Sequence, residues 1–198
     1  MTRIRPCVLL CAVLLTVCAP SSAWAQDDDG DGVPNAQDNC PASRDVVFPL
    51  ADFADISALT LTGHATQDGA ELQLVPNTAN RAGNAWLTEP VTWTDTMSFS
   101  TFFELQMGGG SGGTGATFIL HSDPAGASAV SPDSVGSAGF SGITNSIGIQ
   151  FDTVRNPGEL DGNHVGIVRG GVVETHLATA NPAFDMNDNV PFFVWIDY

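Results

Sequence analysis

The chain has 198 residues, and its six arginines, absence of lysine and twenty-two acids give a formal net charge of −16 at pH 7. A surface this acidic repels nucleic acid and anionic membranes, because contacts to phosphate groups need cations that the chain hardly possesses. We therefore expect neither a nucleic-acid partner nor insertion into a membrane.

Residues 1–25 have the composition of a secretory signal peptide. Arg3 and Arg5 precede an apolar run over residues 8–17, and Ala23-Trp24-Ala25 offers small residues for cleavage before Gln26. The apolar run is too short to span a bilayer. We expect a secreted protein, located outside the cell, in the periplasm or at the cell surface.

Removal of this segment changes both the charge and the cysteine count. Four arginines then face twenty-two acids, which gives a net charge of −18. Three of the four cysteines lie before residue 26, so the mature chain keeps only Cys40 and can form no internal disulfide. Such a chain depends on its core, on metal ions or on a partner for stability.

Residues 26–43 form a second unit with regularly spaced oxygen ligands. Oxygen-bearing side chains alternate along it, and Gly32 follows where the chain must turn, as in the front half of an EF-hand loop. The string ends in Asp-Asn-Cys-Pro at residues 38–41 and resembles a single thrombospondin type 3 repeat. That resemblance implies calcium bound by Asp27, Asp29, Asp31, Asn35 and Asp38. The alternative is a solvated acidic linker.

Residues 44–198 read as one domain of short strands separated by turns. Alternating or apolar runs predict strands around residues 59–62, 71–74, 85–87, 99–105, 116–120 and 147–152. Residues 165–168 and 172–177 predict a hairpin across Gly170-Gly171, and 192–198 predict a last strand. This pattern indicates an all-β sandwich or barrel.

Polar side chains gather directly after the strand at residues 147–152. Asp152, Asn156 and Asp161 could give side-chain oxygens to a hard cation, with the Val154 carbonyl between them. The alternative is a solvated hairpin whose Asp and Asn residues only form turns.

Five segments in order resemble the legume (L-type) lectins. The loop from Phe151-Asp152-Thr153 to His164 is similar to the metal loop of that family, and the other four segments are residues 99–103, 115–120, 139–143 and 194–198. The resemblance implies a concanavalin-like jelly-roll β-sandwich, Ca²⁺ bound by Asp152, Val154, Asn156 and Asp161, and a glycan partner held near Asn156, Thr114, Gly139 and Phe140. We expect the chain to be a secreted protein of the bacterial type.

Three departures from the family pattern limit these expectations. Gln150 stands where the family has a metal-binding Glu, and an amide is a poorer ligand for a transition metal than a carboxylate. We expect that site to be weak or lost, with His164 in a supporting role. Thr114 stands where the family has its main sugar-binding Asp, and a hydroxyl cannot match the charge-assisted bonds of a carboxylate. The chain also stops at Tyr198, so we expect a C-terminally incomplete sandwich whose exposed sheet invites an oligomer or a partner chain.

The sequence thus favours a calcium-dependent carbohydrate-binding module, with a calcium-stabilised structural or adhesion module as the alternative. We do not expect an enzyme. The Glu-x-Asp-x-x-Glu pattern of related glycoside hydrolases is absent from the strand that carries Gln150 and Asp152. His121, Ser122 and Asp123 are adjacent residues of one strand, which point to opposite faces and do not form a catalytic set. Of the aromatic residues, Trp86 and Trp195 are expected in the core.

Overall fold

The computed structural model describes residues 2–5, 52–92, 98–109, 113–132, 137–157, 159 and 161–198. Within these residues the chain forms eleven strands and one short 3₁₀ helix, η1 (Gly126–Ser128). The strands are β1 (Thr2–Arg5), β2 (Leu59–Gly63), β3 (Thr66–Asp68), β4 (Glu71–Val75), β5 (Gly83–Leu87), β6 (Ser100–Met107), β7 (Gly115–His121), β8 (Ser146–Asp152), β9 (His164–Arg169), β10 (Ala178–Ala180) and β11 (Phe192–Asp197). No helix in the described part of the chain is long and apolar enough to cross a membrane.

All strand pairs are antiparallel and form three sheets. The largest has the order β11-β6-β1-β4-β3, the second has the order β10-β9-β8-β7, and β2 pairs with β5 alone. The predicted all-β sandwich is therefore confirmed. The sequence also placed most of these strands, because alternating side chains mark strands of which one face is buried.

The main core lies between the two larger sheets. Leu105 and Met107 of β6 pack with Ala116 of β7, Phe151 of β8 and Met186. Since apolar side chains meet across the sheets at the inner faces of β7 and β8, these two strands are held rigidly. The candidate site lies at the start of β7 and the end of β8.

Strand β1 lies within the segment that the sequence identifies as a signal peptide. It pairs with β4 on one side and β6 on the other, and Arg3 forms ion pairs with Asp68 at 3.1 Å and Glu71 at 2.9 Å. Cleavage before Gln26 stays a prediction. It would remove β1 and leave the facing backbone edges of β4 and β6 to find another partner.

The predicted hairpin after β9 is only half right. Gly170 and Gly171 turn the chain with φ of 65° and 74°, but the residues that follow make a single bridge, from Arg169 to Val172. On the side away from β8, β9 pairs with β10, which begins six residues after Val172, at Ala178. The intervening segment forms a loop that packs back on the sheet, so the prediction of a strand at 172–177 is wrong.

Candidate functional site

The candidate site lies where β8 ends and the chain loops toward β9. Asp152 is the last residue of β8, and its side chain is 0% exposed. It is paired with Gly115 of β7 on one side and with His164 of β9 on the other. Gly115 has φ of 118°, and a Cβ atom there would overlap the carbonyl oxygen of Phe151. Glycine at this position therefore lets β7 approach β8 closely at the end of β8. We call this place, where β8 ends and the chain turns toward β9, the corner.

Three oxygen atoms surround the side-chain amide of Asn156. Its Nδ2 donates to Asp152 Oδ2 at 3.4 Å, to the Val154 carbonyl at 3.3 Å and to Glu159 Oε1 at 3.3 Å. A half-turn of this amide about its last torsion would put Oδ1 where Nδ2 now lies, beside the same three oxygens. The structure thus brings together Asp152, Val154 and Asn156, three of the four residues predicted to bind calcium in this loop.

The oxygen cluster is completed by Glu159, which the sequence reasoning did not select. Glu159 is buried, and its Oε2 accepts a hydrogen bond from the Asn156 backbone at 2.5 Å. The side chain of Arg155 closes the same loop by donating to the Glu159 carbonyl at 3.0 Å. The spacing of the sequence did not indicate Glu159 as a ligand, because it comes to lie beside Asn156 only through the turn at Pro157. The family pattern does not include a ligand at this position.

The electrostatics of the corner favour a bound cation. The pKa of Asp152 is raised to about 6, mainly by burial and to a smaller extent by the negative charges of Glu159 and Asp161. A hydrogen bond from the Val154 backbone to Asp152 Oδ1, at 2.8 Å, opposes this rise in pKa. A hard cation that takes carboxylate and carbonyl oxygens offsets the cost of ionising such a buried group. The donor set therefore fits calcium.

Asp161, the fourth predicted calcium ligand, lies beside His164. Its Oδ1 accepts hydrogen bonds from the Asn163 backbone at 3.0 Å and from His164 Nδ1 at 3.2 Å. Asn181 donates to its Oδ2 at 2.6 Å, and this bond is the main cause that lowers the pKa of Asp161. The carboxylate is thus held ionised at the edge of the corner, between the loop and β9.

His164 and Gln150 are both drawn into the buried side of the corner. Gln150 is 0% exposed, and its Nε2 donates to Asp152 Oδ2 at 2.7 Å. Its Oε1 lies 3.3 Å from Nε2 of His176, and the same nitrogen lies 3.4 Å from His164 Nε2. His176 comes from the loop that the sequence predicted as a strand, so its position beside Gln150 and His164 could not be read from local periodicity.

The residues expected to touch a glycan lie at the same end of the sheet. Thr153 donates to the Gly113 carbonyl at 2.7 Å, which joins the loop after β8 to the segment before β7. Thr114 Oγ1 accepts a hydrogen bond from the Ala138 backbone at 3.3 Å, and the Gly139 carbonyl accepts one from Asn84 at 2.6 Å. The loop that carries Gly139 is therefore fixed between β5 and the start of β7.

Phe140 does not face this surface. Its ring is 0% exposed and packs with Val168 and Val173. A ring enclosed in this way cannot stack on a sugar, so the prediction of Phe140 as a ligand contact is wrong. The loop folds inward across β9, and the burial of the apolar ring of Phe140 there is favourable.

The two tryptophans that the sequence placed in the core behave differently. Trp86 is buried, and its Nε1 donates to the Ala129 carbonyl at 2.7 Å, as predicted for a core residue. Trp195 is 66% exposed on β11 and contacts Phe102 with ring centroids 4.7 Å apart and ring planes tilted by 46°, so that prediction is wrong. The calcium ligands predicted at Asp27, Asp29, Asp31, Asn35 and Asp38 lie outside the described residues.

Two family models match the chain. The legume lectin domain matches residues 45–198 and the thrombospondin type 3 repeat matches residues 17–46. Because the first match covers more than half of the 198 residues, the chain belongs to the legume lectin domain family. Members of that family are non-enzymatic carbohydrate-binding proteins, and both families bind calcium. A search of the curated proteins found no match.

Proposed function

We propose that this protein is a secreted carbohydrate-binding module of the legume lectin type whose glycan site depends on calcium. The observation that carries the proposal is the group of oxygens around Asn156, at the end of β8. Asp152, Val154 and Asn156 would hold the ion, with Asp161 and Glu159 beside them. The calcium would fix the loop that presents Asn156 to the glycan.

The glycan surface would lie between this loop and the segments at Thr114 and Gly139. The Thr153 hydrogen bond to Gly113 joins the two sides, so an ion that orders one side also orders the other. A glycan offers hydroxyl groups, and the polar atoms at this end of the sheet are backbone amides, the Asn156 amide and the Thr114 hydroxyl. We expect weak binding, because no carboxylate occupies position 114.

One observation favours a second function, a calcium-stabilised structural or adhesion module. The Thr114 hydroxyl already accepts a hydrogen bond from the Ala138 backbone, so only its O–H and one lone pair remain for a sugar, where a carboxylate would offer two charged oxygens. In this case calcium would raise the melting temperature although the protein binds no glycan. The first function requires both effects.

The experiment measures both properties on the full chain. A glycan array is probed with calcium present and again after chelation, and the melting temperature is recorded under the same conditions. We expect calcium-dependent binding to a limited set of glycans and a higher melting temperature with calcium. Binding that persists in chelator, or a blank array with calcium present, would contradict the proposal. A blank array together with a higher melting temperature in calcium would favour the second function instead.

Asn156→Ala is the informative variant, because it removes the amide at the centre of the oxygen group. Asn187→Ala, in the loop before β11, is the matched control. We expect the first variant to lose the calcium response and the second to keep it. Equal responses from both variants would place the calcium effect elsewhere in the chain.

A further inference from the structure

Two imidazoles and one carboxylate converge behind the calcium loop. One ligand atom of Glu159, one of His164 and one of His176 all lie within 4.8 Å of one another. Glu159 and His164 are buried, and His176 is half-buried. The three residues come from three different segments, the loop after β8, the start of β9 and the loop before β10, so only the folded chain assembles them.

The spacing of the two imidazoles suits a shared metal ion better than a direct hydrogen bond. Nitrogens that each lie about 2.0–2.1 Å from a tetrahedral Zn²⁺ are about 3.3–3.4 Å apart. The distance between His164 Nε2 and His176 Nε2 is 3.4 Å. N–H···O hydrogen bonds in proteins are usually shorter, at about 2.9–3.0 Å.

The surroundings of His164 match those of a metal-binding histidine. Its Nδ1 donates to Asp161 Oδ1 at 3.2 Å, which leaves the lone pair of Nε2 facing His176. Metal-bound histidines almost always give their other ring N–H to a carboxylate or carbonyl in this way. Asp161 is held in turn by Asn181, at 2.6 Å.

The backbone makes room for the second imidazole. A Cβ atom at Gly166 of β9 would overlap Cδ2 of His176. Only glycine at this position lets the ring lie flat on the strand, beside Gln150 and His164. The sheet is thus shaped to accept His176 at the place where its Nε2 meets that of His164.

We propose that His164, His176 and Glu159 bind a transition-metal ion of the zinc type, with the Oε1 of Gln150 or a water molecule as the fourth ligand. Imidazole nitrogens suit Zn²⁺, Ni²⁺ and Cu²⁺, whereas Ca²⁺ and Mn²⁺ prefer oxygen donors. The site differs from the one that the family resemblance implied, since an imidazole from the loop before β10 takes the place of the missing carboxylate at position 150. It does not depend on glycan binding.

The test uses the full chain in excess calcium, which occupies the oxygen sites. Co²⁺ is titrated as the spectroscopic probe, and Zn²⁺ affinity is measured by competition with a chromogenic chelator. We expect one equivalent of Co²⁺ to give the strong visible bands of a tetrahedral site with nitrogen ligands, and one equivalent of Zn²⁺ to displace it. Weak octahedral bands in the wild-type protein would overturn the proposal, whatever the variants do.

Two variants locate the ion. His176→Gln removes one ligand, and Gly166→Ala displaces the same imidazole without removing it; each should lower Zn²⁺ affinity at least about tenfold. His64→Gln, at the turn between β2 and β3, is the control and should bind as the wild type does. Circular dichroism in calcium checks the fold of each variant. Unchanged Zn²⁺ affinity in folded His176→Gln would assign the ion to another part of the chain and overturn the proposal.

Discussion

Ionisation of Asp152 should destabilise the calcium-free protein, and the variant Asp152→Asn measures this effect. The pKa of this buried carboxyl is about 6 in the folded chain, against 3.8 for an ordinary Asp. Between these two pH values the unfolded chain has already released the proton while the folded chain still holds it. The favourable contribution of the protonated group is therefore complete below pH 3.8 and is lost as the pH rises through about 6.

The size of the effect follows from the difference between the two pKa values. A change of one pKa unit corresponds to about 1.4 kcal/mol, so the folded state loses at most about 3 kcal/mol between pH 4 and pH 7. Asparagine cannot ionise and avoids this loss. At pH 4 the variant should be less stable than the wild type by about 1 kcal/mol, because the acceptor of the Gln150 hydrogen bond is disturbed. At pH 7 without calcium it should be the more stable protein.

The assay is urea unfolding at pH 4, 5, 6 and 7, followed by far-ultraviolet circular dichroism in calcium-free buffer and again with calcium. The quantity of interest is the free energy of unfolding of the variant minus that of the wild type, since other titrating groups cancel in this difference. We expect the difference to rise with pH without calcium. Calcium should reverse its sign at pH 7, because the ion stabilises only the ionised carboxylate.

Asp123→Asn supplies a control at a carboxyl whose pKa is shifted in the opposite direction. Hydrogen bonds from the Thr144 hydroxyl and from the Ala125 and Thr144 backbones lower the pKa of Asp123. Its contribution to stability is present above the unfolded pKa of 3.8 and is lost only as the pH falls below it, so this variant should be less stable than the wild type by a nearly constant amount from pH 4 to pH 7. If the difference in unfolding free energy between Asp152→Asn and the wild type stays constant or falls as the pH rises, Asp152 is not a buried carboxylate that needs a cation to be ionised at low cost.

Three further substitutions test the glycan surface and the packing around it. Thr114→Asp keeps an acceptor for the Ala138 backbone and offers charge-assisted bonds to sugar hydroxyls, so glycan affinity on the array should rise about five- to tenfold; an unchanged affinity would argue against a sugar site here. Gly115→Ala forces a Cβ against the Phe151 carbonyl at positive φ, so thermal unfolding should show a loss of at least about 2 kcal/mol; wild-type stability would mean that the corner is looser than described. Phe140→Ala should cost about 3–5 kcal/mol in urea unfolding, while its effect on glycan affinity should be small; the reverse result would restore the ring as a ligand contact.

Most of the strands could be predicted because one of their faces is at least partly buried, whereas β3 and β10 are exposed along their length and were not predicted. Phe103 and Leu105 of β6, and Phe151 of β8, alternate with more polar neighbours and pack in the main core as expected. Strand β1 was missed because Arg3 and Arg5 also suit the start of a signal peptide. Its place between β4 and β6 depends on partners about 70 and 100 residues away, which local periodicity does not reveal.

Only those site residues that are close together in the sequence could be predicted. Asp152, Val154 and Asn156 follow one another after a strand, so their convergence could be read from the sequence. Glu159 and His176 could not be placed in this way. Glu159 depends on the turn at Pro157, and His176 on a loop that leaves the sheet instead of continuing as a strand. Phe140 was predicted wrongly in the opposite sense: it was expected at the ligand surface, but its loop folds inward and the ring lies in the core.

Gln150 links the two candidate ion sites and explains why their chemistry differs. A carboxylate at this buried position would add a negative charge beside Asp152, whose own ionisation is already costly because of burial and of Glu159 and Asp161. The amide avoids that repulsion. Its nitrogen donates to Asp152 at 2.7 Å, and its oxygen faces His176 at 3.3 Å. An amide in place of the carboxylate thus stabilises Asp152, the proposed calcium ligand, and in the proposed transition-metal site the imidazole of His176 would supply the missing donor without adding negative charge. On this reasoning the change at position 150 and the presence of His176 are one adaptation, which replaces oxygen by nitrogen on the buried side of the corner.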